Sequence, residues 1–218
     1  MFLTACSTNY IGGEYVGQKY VPDPLGEEKA PDVDPLIRFD AFDCMTFVET
    51  SLANGDLDNL INIRYKNGQV NFLNRNHFVE TDWLKNNANL LENVSHQYGK
   101  TSFRTVVIDK KNWFKKVHNT ETGFLPEKVA LEYIPYENLT DIKNKEPLIV
   151  LFIAGNSGKS DKIGTDLAVV HMGFLLPNGI LRHASSEKGK VIDVDFKKYA
   201  SRRAKNKNNL GIALVKIK

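Results

Sequence analysis

Two kinds of hydrophobic spacing divide the chain. In its first half, apolar residues recur every three to four positions. Phe47, Val48 and Leu52 form one stripe, the spacing of an amphipathic helix, and Asp43 before them is an N-cap residue type. The spacing predicts a helix starting at Cys44 and ending near Asn54-Gly55, then a second over Leu57 to Arg64. Trp83, Leu84, Leu90, Leu91 and Val94 predict a third, from Trp83 to Tyr98, ended by Gly99. Further on, the period shortens. Phe103 to Ile108 and Lys128 to Ile134 alternate as strands do, with Gly123-Phe124-Leu125-Pro126 between them. Leu148 to Ala154 is continuously apolar and reads as a buried strand. Leu167 to Leu176, Ile180 to Ser185, Val191 to Val194 and Gly211 to Ile217 complete an antiparallel set, and Pro177-Asn178-Gly179 is a hairpin turn. The pattern is α+β, helices first and a meander after.

Between these elements, residues 10–40 are rich in Gly and Pro and predict an extended arm. Its acidic residues, at Asp23-Pro24 and Asp32-Val33-Asp34-Pro35, read as solvated turns. They lack the ligand spacing and closing Glu of a calcium-binding hand. Lys66-Asn67-Gly68-Gln69 is a hairpin-type turn. Residues 103–147 read as an insertion on a single domain spanning residues 1–218. Gly155-Asn156-Ser157-Gly158-Lys159-Ser160 resembles a phosphate loop. However, its first Gly is two positions too close and a strand is expected to follow, so nucleotide binding is set aside.

Composition adds little to this picture. The 218 residues are 42% hydrophobic and 25% charged, ordinary globular usage. A net charge of +3 is too small to argue for nucleic acid. The basic run Arg202-Arg203-Ala204-Lys205-Asn206-Lys207 reads as a solvated loop. No apolar run reaches the ~18 residues of a membrane span. Leu3-Thr4-Ala5-Cys6-Ser7 is similar to the lipidation box of bacterial lipoproteins, which implies a lipid anchor on Cys6. The basic and apolar segments that precede such a box are absent, so Cys6 is left between an anchor and a small residue on a short helix.

The other cysteine carries the candidate chemistry. Cys44 falls in the first turn of the predicted helix, among unpaired N–H groups at the positive end of its dipole. There a thiol pKa can fall from ~8.5 to roughly 3.5–7.5. Two readings stand: a nucleophile, or a buried structural cysteine. A nucleophilic thiol needs a base, and the base an orienting partner. His171 and His183 lie on consecutive strands of one hairpin, offset by about two to three positions across the turn, close enough to approach on one face. The same trio offers one sulfur and two nitrogens to a zinc ion, though nothing in the spacing favours a metal. His96 and His118 have no partner pattern and are read as surface residues.

Phe42-Asp43-Cys44, His171-Met172-Gly173-Phe174 and His183-Ala184-Ser185 together resemble the NlpC-type, papain-like cysteine amidases of bacterial cell walls. Gly12-Gly13-Glu14-Tyr15 matches a fourth element. Asp43-Cys44-Met45-Thr46-Phe47-Val48-Glu49, and Arg75-Asn76-His77-Phe78 followed by Asp82-Trp83, are similar to a subfamily with N-acetylmuramoyl-L-alanine amidase activity on anhydro-muropeptides.

The resemblance implies a papain-like core, with N-terminal helices packed on an antiparallel sheet and inserted substrate-recognition segments. It implies that Cys44 attacks, His171 is the base and His183 orients it. The Cys44 backbone N–H, and Tyr15 as a second donor, would stabilise the oxyanion. Arg75, His77 and Trp83 are weaker candidates for holding substrate. The implied partners are peptidoglycan fragments, with no nucleic acid and no cofactor or metal. The implied setting is a monomer in the periplasm, or on the outer membrane through Cys6. Two rivals remain: an endopeptidase cutting within the stem peptide, and a non-catalytic wall-binding lipoprotein.

Overall fold

Side-chain caps set where the helices begin. The computed structural model describes residues 10–155 and 160–218; Cys6 and most of the glycine-rich turn after Gly155 lie outside them. Asp43 Oδ1 accepts the Thr46 amide at 2.7 Å, and the Asp43 amide donates to the Thr46 hydroxyl at 2.9 Å. This reciprocal box satisfies two first-turn donors and starts α1 (Cys44–Leu52). Asp56 caps α2 (Leu57–Arg64) through the Asn59 amide. The last residue of the Asp-Cys-x-Thr-Phe-Val-Glu stretch, Glu49, is buried and meets Arg64 of α2 at 2.8 Å. That ion pair locks the two helices together.

Ten strands form one mostly antiparallel sheet among the described residues. They are β1 (Lys19–Tyr20), β2 (Ala41–Phe42), β3 (Leu91–Asn93), β4 (Ser102–Ile108), β5 (Glu127–Pro135), β6 (Leu148–Ala154), β7 (Val169–Leu175), β8 (Ile180–Ser185), β9 (Lys190–Asp195) and β10 (Asn209–Ile217). The order is β2-β1-β9-β8-β7-β6-β10-β5-β4, with β3 also on β10. The meander expected from Leu148 onward is β6 to β9. Residues 103–147 supply β4 and β5, which extend the sheet beyond β10.

Alternation along β6 separates two cores, because successive side chains point to opposite faces. Ile149, Leu151 and Ile153 join Phe47 and Val48 of α1 with Met172 and Phe174 of β7. Leu148, Val150 and Phe152 join Phe196 and Ala200 of a C-terminal helix.

Three expectations are corrected. The run from Trp83 to Tyr98 is not one helix. A π turn (Val79–Trp83) leads into α3 (Leu84–Asn86) and the chain then enters β3. Asn87 ends the helix, its side-chain amide donating to the Trp83 and Ile63 carbonyls. Helices the periodicity passed over are α4 (Lys110–His118), α5 (Ser160–Ile163), which stands where a strand was expected, and α6 (Phe196–Ala204). The basic run from Arg202 therefore begins as the last turn of α6.

The N-terminal arm keeps solvated turns at Asp23, Val33 and Asp34 but is pinned between them. Arg75 clasps Glu27 with two hydrogen bonds of 2.8 and 2.7 Å and reaches Asp32 at 2.6 Å. Tyr65 donates to Glu27 at 2.9 Å, and buried Arg64 donates to the Leu25 carbonyl. Removing one partner of a buried pair strands the other charge. Arg75→Ala is therefore expected to lower unfolding free energy by about 3–5 kcal/mol. Urea unfolding checks this; a loss below 1 kcal/mol, the range of surface pairs, would contradict the clasp.

Candidate active site

Cys44 stands at the first turn of α1, and α1 packs against β7 and β8. The β7–β8 ladder is short: Leu175 pairs with Leu181 and Phe174 with Arg182, and no register pair follows, although both strands continue. Beyond that point the Met172 N–H of β7, with the N–H groups of Cys44 and Met45, lies near enough to the Cys44 sulfur to favour its anionic form. The thiol thus lies beside the backbone of the residue after His171. Burial pushes it up to about 12, Asp43 adding to the rise and the three N–H donors opposing it. This reverses the depressed pKa expected from the helix start, because dehydration of the sulfur outweighs the N–H donors. The resting group is a thiol.

His171 and His183 meet as the hairpin register allowed. His171 Nε2 lies 2.8 Å from His183 Nδ1, so one nitrogen donates and the other accepts. His171 is left with Nδ1 for other chemistry. The rings pack edge to face, and Phe152 stacks on His171. Burial lowers both imidazoles, His171 well below the ordinary range and His183 to about 4; nearby arginines push in the same direction. Both are neutral at neutral pH.

The glycine of the His-x-Gly element has a steric reason. A Cβ on Gly173 would stand 2.6 Å from the Arg182 carbonyl and 2.7 Å from the His183 Cβ. Any larger residue would push His183 off its partner. The start of β7 is held from the other side, where buried Glu80 accepts the Ala168 and Val169 amides at 2.7 Å each.

The other expected site residues are not brought to the cysteine. Tyr15 packs on Phe42 and Phe39, and its hydroxyl lies against Gly55, past the opposite end of α1. Gly12 in the same element has φ +70° and leaves no room for a side chain against Phe47 and Ser51. Arg75 is consumed by the arm. His77 donates Nε2–H to the Phe72 carbonyl at 2.7 Å and sits among Phe72, Trp113 and Phe114. His118 joins that cluster and is not a free surface residue, whereas His96 is exposed. Trp83 is 0% exposed and is a core residue in this structure, out of reach of a sugar ring. Among the described residues no three His, Cys, Asp or Glu side chains are grouped to hold a metal ion.

Sequence reasoning missed several neighbours. Tyr20 of β1, not Tyr15, is the tyrosine whose hydroxyl feels Cys44 and Asp43; burial and those two groups push it up to about 12. On the opposite side, α6 brings Tyr199 against both imidazoles, its ring centroid 5.0 Å from that of His183. A cavity of about 420 Å³ opens there, lined by His171, His183, Tyr199, Arg202 and Arg203 among others. The signal for α6 was present: Asp195 caps it through the Lys198 amide, and Phe196, Tyr199 and Ala200 have helical spacing.

Helix start and hairpin thus define an α+β protein with a thiol at the start of α1, against the backbone of β7, and two imidazoles paired between β7 and β8 on the side of Phe152 and Tyr199. The chain belongs to the AmiA-like family, described as N-acetylmuramoyl-L-alanine amidase-like, whose model matches residues 10–208. Membership points to hydrolysis of an amide bond in peptidoglycan. A Legionella pneumophila protein assigned to a domain family of unknown function is 26% identical, with a TM-score of 0.86 over 95% of this chain and 86% of its own. A Bacteroides uniformis N-acetylmuramoyl-L-alanine amidase is 23% identical, with a TM-score of 0.70 over 95% and 97%; at that identity the likeness is one of fold. No curated protein sequence matches the chain.

Proposed function

We propose that the protein is a cysteine-dependent N-acetylmuramoyl-L-alanine amidase of the NlpC-type, papain-like kind, cleaving the sugar-to-peptide amide of muropeptides, including their anhydro forms. The observation that carries this reading is the 2.8 Å His171–His183 contact on the strands against which the helix-start Cys44 packs through α1.

In the productive tautomer His171 donates Nε2–H to His183 Nδ1, and its Nδ1 lone pair accepts the Cys44 proton as sulfur attacks the lactyl carbonyl. His183 holds that tautomer, the role of the third member in other triads. The Cys44 backbone N–H at the start of α1 and the Tyr20 hydroxyl receive the oxyanion; one such donor is typically worth ~10²–10³ in rate. Collapse expels the L-alanine nitrogen, which takes its proton back from His171. Water then releases the thioester, with His171 as base, and leaves a lactyl carboxylate on the sugar. A lipid anchor on Cys6, and with it a periplasmic or outer-membrane location, is proposed from Leu3-Thr4-Ala5-Cys6 alone.

Product analysis tests the reading. Defined muropeptides should give free disaccharide and an intact stem peptide; a shortened peptide still on the sugar would make the protein an endopeptidase. A pH profile tests the base. Because burial disfavours the imidazolium, His171 stays a competent base as pH falls. The acid limb of kcat/KM, which reports the free enzyme, should lie below the ordinary imidazole value of about 6.5. An acid limb at or above that value would contradict a buried neutral pair.

A further inference from the structure

One arginine beside the imidazole pair lacks an anionic partner. Arg203, in the last turn of α6, lies over the Phe152 ring at 4.9 Å from its centroid. It donates to Asn209 Oδ1 at 3.2 Å. Its Nε is buried with no partner, and among the described residues no carboxylate pairs with it. Its neighbour Arg202 differs, meeting Glu187 at 3.3 Å. Arg203 faces the cavity that His171 and His183 also line, and its charge is felt at both rings. A guanidinium fork suits a carboxylate better than any other anion short of phosphate, and a partly dehydrated cation is stabilised by an anion the ligand brings.

The identity of that anion rests on the amidase reading. On one side of the scissile amide the sugar carries no charge; on the other the stem peptide carries free carboxylates. We propose that Arg203 forms a subsite for a free carboxylate of the stem peptide, at the α6 wall of the cavity beside the His171–His183 pair. The peptide side of the substrate then lies along α6, and Arg203 determines which stem peptides are accepted.

The test compares two muropeptides that differ only in whether the carboxylate of the second stem residue is free or amidated. A charge-assisted hydrogen bond contributes about 1.5–3 kcal/mol, or roughly 10–100-fold. Wild type should favour the free carboxylate by about that factor in kcat/KM, and Arg203→Gln should bring the ratio close to one. Arg203→Lys, which keeps the charge without the fork, should keep part of the preference and serves if the Gln variant fails to fold. Equal rates in wild type, or an unchanged ratio in Arg203→Gln, would overturn the subsite. If wild type hydrolyses neither compound, the amidase reading fails by itself. Calorimetric binding of the free stem peptide then tests the subsite: a roughly 10–100-fold weaker affinity in Arg203→Gln supports it, and equal affinity overturns it.

Discussion

Cys44→Ala is expected to lower kcat on muropeptides by roughly 10⁴–10⁶-fold, the range seen when a triad nucleophile is lost. In the proposed mechanism the sulfur is the bond-forming atom, and no second free cysteine is found among the described residues. Binding and the oxyanion donors survive the change, so the residual rate should still exceed that in water. Alanine keeps the start of α1, because the cap is made by Asp43 and Thr46 and not by the thiol. Thermal unfolding should therefore move little. Release of disaccharide from a defined muropeptide measures the loss, and a variant within tenfold of wild type would remove Cys44 from the chemistry.

The second large effect is expected at His171. His171→Ala should cost about 10⁴-fold in kcat. A thiol raised to about 12 has almost no thiolate of its own at neutral pH, so attack depends on a neighbouring base. An enzyme whose cysteine was already ionised would lose less. Added imidazole should restore part of the rate, since the deletion leaves a space lined by Phe152, Tyr199 and His183. Full activity in the variant would contradict the base assignment. No rescue, with folding intact, would point to loss of position instead.

What the sequence made legible was local. Asp43 before an apolar stripe announced α1, and Leu57 to Arg64 matches α2 residue for residue. Asn178-Gly179 fixed the hairpin closely enough to bring His171 toward His183. Gly179 has φ +78° there, a conformation glycine adopts without strain. Where long-range contacts decided, local pattern misled. Trp83 to Leu91 has helical spacing, but Leu91 pairs with Ile217 at the other end of the chain, and Asn87 bonds the carbonyl of Ile63. Arg75 looked available because its partners Glu27 and Asp32 stand more than forty positions earlier.

The site follows the same division. The three candidates Cys44, His171 and His183 were readable because each sits in a short motif with its own reason, a cap or a strand pairing. Tyr20, Tyr199 and Arg203 were not, since each enters through the twist of the sheet and the docking of α6. The thiol's raised pKa was unreadable for a related cause. A helix start argues for thiolate, and only the packing of α1 onto β7 and β8 shows the half-buried setting that opposes it.

The central claim is that Cys44 acylates on the lactyl carbonyl of muramic acid. Hydrolysis in heavy-oxygen water tests it most directly, since the oxygen that water supplies marks the carbonyl that was attacked. Mass spectrometry of both products should find one labelled oxygen in the lactyl carboxylate of the released sugar and none newly placed in the peptide. Label in a peptide carboxyl group instead would contradict the account.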